Sequence, residues 1–514
     1  MTDAVARTLY RLVVRRRLLE WVTAAQTNDD LQFDRRSLFT QMAASIAFAL
    51  AAFALLYVFG NHPWSIAAPF TALWILSPLI AHWASTQPPS AGHLTIDGDD
   101  AQKLRMVARR TWRFFETFVT AADNMLPPDN FQEDPAPVIA HRTSPTNIGL
   151  YLLSTVSARD FGWIGTHDML DRLEATMATM DRLERSRGHF YNWYETTDLR
   201  ALEPKYISTV DSGNLAGHLI ALSNTCKEIA DAPACNPHWA FAVADNLALM
   251  RGAIVAHAVE LHRDDAAQAA LTAALDDFAA RLQMPAPTPS AIAARLDELA
   301  QKADALSGQV RLCPGKCESG GCGEIAYWTN ALGTAIAASA RDVTQLMPWA
   351  AIIARDPPPA DVMAALDTMP TLAALADHCN AALKALHPPC TKDSHPETAL
   401  EQALEASVAA AARLQSRLST LAADAKSLFD AMTFDFLFDQ HRQLFSIGYR
   451  GADGTLDSNF YDLLASEARL ASFVAIAKGD VPAKHWFHLG RTLTPIGRNS
   501  GLISWSGSMF EYLM

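Results

Sequence analysis

The sequence predicts a nearly all-α protein built from successive helical hairpins and preceded by a two-helix membrane hairpin. Three observations point there. Two adjacent uncharged apolar runs lie near the N-terminus, helical periodicity dominates from residue 104 onward, and strand-like alternation is rare. Half of the 514 residues are apolar and the mean hydropathy is just above zero, which suits one part in lipid and the rest in water. That length allows roughly two to four domains.

Residues 1–37 form a basic, cytoplasmic segment. About 35 mixed, largely charged residues come before any long apolar run, which is not how a signal peptide begins. Within them, residues 10–26 read as a basic amphipathic helix on the membrane face, or as an ordinary solvated helix. Residues 38–83 form the transmembrane hairpin. Leu38 to Gly60 and Trp64 to Trp83 are free of Lys, Arg, Asp and Glu. Each run is about 20 residues, the length that crosses about 30 Å of hydrocarbon. Tyr57, Trp64 and Trp83 fall near the ends, where amphipathic rings favour the headgroup layer. Arg7, Arg11, Arg15, Arg16, Arg17, Arg35 and Arg36 flank one end, and Lys103, Arg105, Arg109 and Arg110 flank the other. The GNHP turn carries neither Lys nor Arg, so both termini are expected in the cytoplasm.

Residues 84–103, rich in Pro, Gly and Asp, read as a linker. Residues 104–514 form the helical domain. Apolar residues recur at three- and four-residue spacing over 105–122, 147–160, 166–187, 212–231, 237–262, 265–283, 289–306, 325–341, 359–386, 397–431 and 459–478. Leu444–Tyr449 is the best strand candidate.

Aromatic and polar residues gather in five loop blocks: 141–151, 188–202, 206–218, 446–470 and 502–514. The helices between them are Ala-rich and bland. A rigid helical frame carrying loops that converge on one groove is the expected arrangement. Sugar rings present apolar C–H faces and hydroxyl rims, which aromatic stacking and planar polar side chains recognise. His141, Arg142, Trp193, Tyr194, Asp211, Asn214, His218 and Trp505 fit such a groove by type and clustering. The plainer alternatives are core packing for Trp193 and Tyr194, and a helix cap for Asp211.

Glycosyl transfer needs paired carboxylates. Glu195, Glu203, Glu467, Glu511, Asp198, Asp211 and Asp462 are the candidates in polar loops or helix starts. Glu467 stands out inside an otherwise apolar helical pattern, YDLLASEARLASFVA, with Arg469 close behind. A groove-facing carboxylate beside Arg469 would suit acid/base work, and a simple surface pair is the alternative. Cys313, Cys317 and Cys322, with His378, Cys379, His387 and Cys390, are spaced for a small zinc knuckle but not as a paired CxxC frame. No cofactor and no catalytic metal are expected. A formal charge of −13 argues against nucleic acid.

The stretches RRTWRFFETFV, MLPPDNFQE, PVIAHRTSPTNIGLYLLSTVSARDFGWIG, RGHFYNWYETTDLRALEPKYISTVDSGNLAGHLIAL, LFSIGYR, YDLLASEARLASFVAIAKGD and SWSGSMFEYLM resemble the middle region of the cyclic β-1,2-glucan synthases. The resemblance runs from about Arg109 to the last residue and is loose across 226–430. It implies a glycoamylase-like (α/α)6 toroid, incomplete here, that closes β-1,2-glucan rings by retaining transglycosylation. It also implies Glu467 as one member of the catalytic pair, with the second lying beyond the FEYLM motif unless Glu511 or Glu195 takes its place. His141, Arg142, Trp193, Tyr194, Asp211, Asn214, Arg469, Trp505 and Glu511 would bind substrate. The implied partners are β-1,2-glucan, a lipid bilayer and the remaining synthase modules on a separate chain. The implied location is the bacterial inner membrane, with the helical domain facing the cytoplasm. A non-catalytic glucan-binding or assembly subunit, or a β-1,2-glucan hydrolase, are the alternatives.

Overall fold

Most of the residues with helical periodicity are helical in the computed structural model, which describes residues 42–60, 64–85, 96–257, 265–311, 320–386, 398–496 and 499–513, besides Val5 and Tyr10. The basic segment over 10–26 lies almost wholly outside the described residues. The chain divides into two compact units, Met1–Gly98 and Asp99–Met514.

In the first unit, α1 (Ala43–Phe59) packs on α2 (Trp64–Ser85), with Phe48 and Trp74 ring centroids 5.8 Å apart. Phe48, Leu55, Phe59, Phe70 and Trp74 are all exposed. The 17 residues of α1 rise about 25 Å at 1.5 Å per residue, slightly under a hydrocarbon core. By length and hydropathy together, one described helix could cross a membrane: α7 of the second unit (Trp239–Ala256). Half of it is buried in the helical domain, so it is a core helix.

The second unit opens with α3 (Gly98–Phe118), so of the expected 84–103 linker only 86–97 separates the helices. Arg105 and Arg109 turn inward from α3. Arg105 pairs with Asp245 at 2.6 Å, and the buried Arg109 pairs with Glu116 at 2.9 Å and donates to Asn246. Two of the charges expected to flank the membrane therefore belong to this domain's interior.

Next come β1 (Phe131–Gln132), β2 (Val138–Ile139), β3 (Arg142–Thr143), α4 (Pro145–Asp160), α5 (Thr166–Arg182), β4 (Arg185–Ser186), β5 (His189–Phe190), β6 (Tyr194–Glu195), β7 (Tyr206–Ser208) and α6 (Thr209–Asp231), leading to α7. Ser144 caps α4 by accepting from the Asn147 amide, with Pro145 at the first helical position. Ser208 caps α6 in the same way through the Asp211 amide. Asp211 is therefore not the cap.

The bland stretch holds α8 (Asp265–Gln283), α9 (Pro289–Arg311), α10 (Gly320–Leu346), α11 (Pro348–Arg355), α12 (Ala360–Leu366), α13 (Leu375–Leu386) and α14 (Ala399–Ala431). The periodicity over 359–386 suggests one helix, but Pro370 falls in the break between two, because it has no amide to continue the ladder. The chain ends with β8 (Phe438–Asp439), β9 (Leu444–Ser446), β10 (Gly448–Arg450), β11 (Thr455–Leu456), β12 (Phe460–Tyr461), α15 (Arg469–Lys478), α16 (Lys484–His488), β13 (Leu493–Ile496), β14 (Asn499–Leu502) and α17 (Phe510–Leu513). Leu444–Tyr449 is extended as expected, divided between β9 and β10. The expected helix over 459–478 begins only at Arg469. Backbone pairing of Leu463 with Gly490, and of Ala465 with Ser504, holds the earlier residues extended.

The unit is mostly helical. α6 lies against α4, α14 and α15. Small residues set the α6–α15 approach: a Cβ on Gly213 would stand 2.4 Å from Ala471, and one on Gly217 would stand 2.7 Å from Leu470.

Candidate active site

Short strand pairings and bridges bring the aromatic loop blocks together. β3 pairs with β6 and sets Arg142 opposite Glu195. β7 pairs with β10, β9 with β12, and Ala465 bridges Ser504. Because α6 and α15 touch through Gly213 and Ala471, the residues just before that contact, Asp211 and Glu467, lie at neighbouring helix N-terminal ends.

Glu467 is half-buried and sits in a turn, not within a helix. The Ser466 hydroxyl starts that turn by accepting from the Ala468 amide at 3.0 Å. Burial comes first, followed by the nearby Glu511 and Asp211 carboxylates, in raising the Glu467 carboxyl above its ordinary range, against the Ser508 hydroxyl. Among the described residues no ion pair joins Glu467 to Arg469, so the expected tuning by arginine is replaced by neighbouring carboxylates.

Asp211 accepts from the Thr146 amide at 3.3 Å. With its amide oriented to satisfy both neighbours, Asn192 donates to Asp211 Oδ2 at 2.9 Å and accepts from Trp193 Nε1 at 3.0 Å. The Trp193 ring carries the Arg142 guanidinium 4.7 Å from its centroid. Arg142 in turn donates to Asp129 at 3.0 Å. On the other side, Tyr461 and Trp505 rings lie 4.9 Å apart, and the Trp505 amide donates to the Ala465 carbonyl at 2.9 Å. Burial first, then Tyr206, Glu467, Asp211 and Glu511, pushes the Tyr461 phenol above its ordinary range. Burial, then Asp457, pushes Tyr206 up to about 12. One line of side chains thus runs from Asp129 through Arg142, Trp193, Asn192 and Asp211 to Glu467, Tyr461 and Trp505.

Other expected ligands make contacts within the protein, although the buried Asn214 Oδ1 and His218 Nδ1 have no hydrogen-bond partner among the described residues. Tyr194 is fully buried. Its hydroxyl donates to the Glu184 carbonyl at 2.6 Å and accepts from the Tyr191 amide at 2.7 Å, because strand alternation turns it inward where Trp193 turns out. Asn214 is also fully buried and donates to Thr146 Oγ1. His218, one turn on, packs against Gly149, and burial drops its imidazole to about 4. His141 Nδ1 lies 2.7 Å from Asp123 Oδ1, with the ring half-exposed.

Glu511 is 1% exposed. It accepts from the Ser506 amide at 2.9 Å and the Ser508 amide at 3.1 Å. Burial opposes its ionisation, but the Ser506 and Ser508 contacts outweigh it and hold the carboxyl below its ordinary range. Glu511 organises its own loop rather than reaching outward. The Glu195 carboxylate accepts from Thr197. Sequence reasoning passed over Asp129, Asn192, Tyr206 and Tyr461. The block pattern around 192–194, 206–218 and 461–467 was the available signal for the last three.

Cys313, Cys317, His387 and Cys390 lie outside the described residues. Cys379 is buried, and burial pushes its thiol up to about 11.

No protein-family model matches the chain. Over its whole length, across 523 aligned positions, the chain is 40% identical to the cyclic beta-(1,2)-glucan synthase NdvB of Rhizobium meliloti (strain 1021). It spans 16% of that protein's length. Among solved structures, one provisionally assigned as a glucoamylase from Bacteroides fragilis NCTC 9343 is 21% identical, over 28% of this chain and 34% of its own. Its TM-score is 0.23, a likeness too small to carry an argument.

Proposed function

We propose, for a chain related over its whole length to one stretch of a cyclic β-1,2-glucan synthase, that it supplies the ring-closing transglycosylase site of such an enzyme. Glu467 carries this reading. A half-buried carboxyl raised by burial and by neighbouring Glu511 and Asp211 stays protonated to higher pH, as a group handing a proton to a glycosidic oxygen requires. Asp211 is held toward the same site by Thr146 and Asn192. Trp193 and Trp505 offer ring faces for glucosyl units on either side, and Arg142 and His141 offer donors to hydroxyls. Arg469, at the start of α15, faces the same groove in this reading. In this reading the helical hairpins follow an (α/α)6 toroid.

The apolar hairpin α1–α2 lies in the inner membrane, and the helical domain faces the cytoplasm. The exposed apolar rings of the hairpin support the first statement, and the N-terminal arginines support the second. Phe473, Phe487, Leu493, Ile496 and Met509, exposed within the last part of the chain, suit cover by the remaining modules of a synthase.

The test is Glu467→Gln. It should abolish conversion of linear β-1,2-glucan to cyclic product while calorimetry still registers binding of the linear glucan. Cyclic product at the unaltered rate would sink the assignment. A second reading, a glucan-binding subunit without turnover, is favoured by the capture of Glu511 in its own loop. Binding of linear glucan with no cyclic product and no short linear products from the unaltered chain would select it.

A further inference from the structure

The site line ends at Asp129, and the chain does not stop there. Asp129 is the first residue of a small hairpin: its amide donates to the Ala140 carbonyl at 3.3 Å, and the Ala140 amide donates to the Asn130 carbonyl at 3.0 Å. Further along that hairpin, β1 presents Phe131 to a cavity of about 790 Å³. This size lies within the range of about 300–1,000 Å³ typical of ligand pockets. Phe131 stands 4.6 Å from Phe118, ring centroid to ring centroid, and Phe118 stands 5.2 Å from Phe114. All three rings are only half-buried, so faces remain available. The polar lining is balanced in charge: Arg110 and Glu133 are exposed, and Arg113 pairs with Glu324.

We propose that this cavity is a second carbohydrate-binding site, which holds a distant part of the same glucan whose reacting bond lies at Glu467. The proposal rests on the reading above for its ligand. The composition selects the class. A site for a phosphate or another anion would carry net positive charge, whereas here two arginines face two glutamates. A purely apolar ligand would not want four charged groups around it. Ring faces bordered by planar donors and acceptors match the C–H faces and hydroxyl rims of glucosyl units. The position selects the role. Phe131 lies two residues beyond Asp129, which fixes Arg142 over Trp193. A glucan crossing Trp193 therefore meets the cavity next along the same hairpin. A short oligosaccharide occupies the Glu467 end alone, and a long one spans both.

The experiment is calorimetry on the full chain in detergent micelles, with linear β-1,2-glucans of two lengths. Phe131→Ala removes a stacking face, and Arg110→Ala removes an exposed donor whose loss leaves the core intact. Loss of one stacked ring is expected to weaken long-glucan binding by about tenfold. Short-oligosaccharide binding should stay within error. Arg110→Ala should move long-glucan binding in the same direction with an unchanged melting temperature. Unaltered long-glucan affinity in both variants overturns this site while leaving the proposed function standing. An unaltered chain that binds neither length overturns both.

Discussion

Glu467 sits where two helix N-termini meet, and that position alone would favour its ionised form through the exposed amides and helix dipole. Burial and the two carboxylates nearby act the other way and prevail, since the carboxyl is raised. Removing one of those charges therefore has a defined sign. Asp211→Asn should lower the Glu467 carboxyl toward its ordinary range. If Glu467 donates a proton, transfer falls as pH rises through its titration. The alkaline limb of the pH profile for glucan transfer should then move to lower pH in the Asp211→Asn variant. An unmoved limb would show that Asp211 does not tune Glu467. Glu511 behaves differently. Glu511→Gln keeps the shape but weakens charge-assisted bonds to the Ser506 and Ser508 amides, at about 1–2 kcal/mol. A lowered melting temperature with intact short-oligosaccharide binding is the expected result. The sequence singles out Glu467 because its motif is peculiar. The role of Glu511 was not legible, because a carboxylate captured by amides three and five residues before it reads like any other loop acid.

At the scale of elements, the helices were legible wherever a long apolar stripe met no competing backbone partner. The failures have local causes. Pro370 interrupts 359–386, and strand-like bridges to Gly490 and Ser504 extend the backbone before α15. The same physics makes glycines unequal. Gly213→Ala places a methyl group 2.4 Å from Ala471, which should cost about 1–3 kcal/mol by overpacking and disturb the Glu467 turn. Gly252, inside α7, has nothing within 4 Å of an added Cβ, so Gly252→Ala should stabilise by about 0.5–1 kcal/mol. Equal shifts in the two melting curves would contradict this account. Buried histidines add a pH term. His189 bridges β5 to Ser212 at 2.9 Å and the Thr433 carbonyl at 2.7 Å, and burial drops it to about 4. The unfolded chain, near 6.5, then binds more protons between those values, so stability falls as pH falls through that window. Each such histidine should contribute up to about 1.4 kcal/mol per pH unit there. Thermal melts of the unaltered chain and of His189→Gln across pH 4–7 would show a shallower slope in the variant.

At the scale of the whole molecule, the two units differ in what they leave exposed. The second unit buries its large side chains in a continuous core, whereas α1 and α2 leave Phe48, Phe59, Phe70 and Trp74 open. Such a surface is unfavourable in water at about 25 cal/mol per Å² of apolar area, and hydrocarbon removes that cost. The two apolar helices were legible from hydropathy alone, because a run without charge needs no knowledge of tertiary contacts. The flanking charges were less informative, since Arg105 and Arg109 proved to be interior partners of Asp245 and Glu116. If the hairpin is the anchor, a chain beginning at residue 96 should stay soluble without detergent and melt at the temperature of the intact protein's helical unit. It should also fail to float with lipid vesicles in a density gradient, while the full chain floats and resists extraction at high pH. The arginines of α3 supply the contrast: Arg109→Ala should leave flotation unchanged but destabilise the helical unit by about 3–5 kcal/mol, because it leaves Glu116 partly buried without its ion-pair partner. Flotation of the shortened chain would move the membrane contact to the helical domain and sink the anchor.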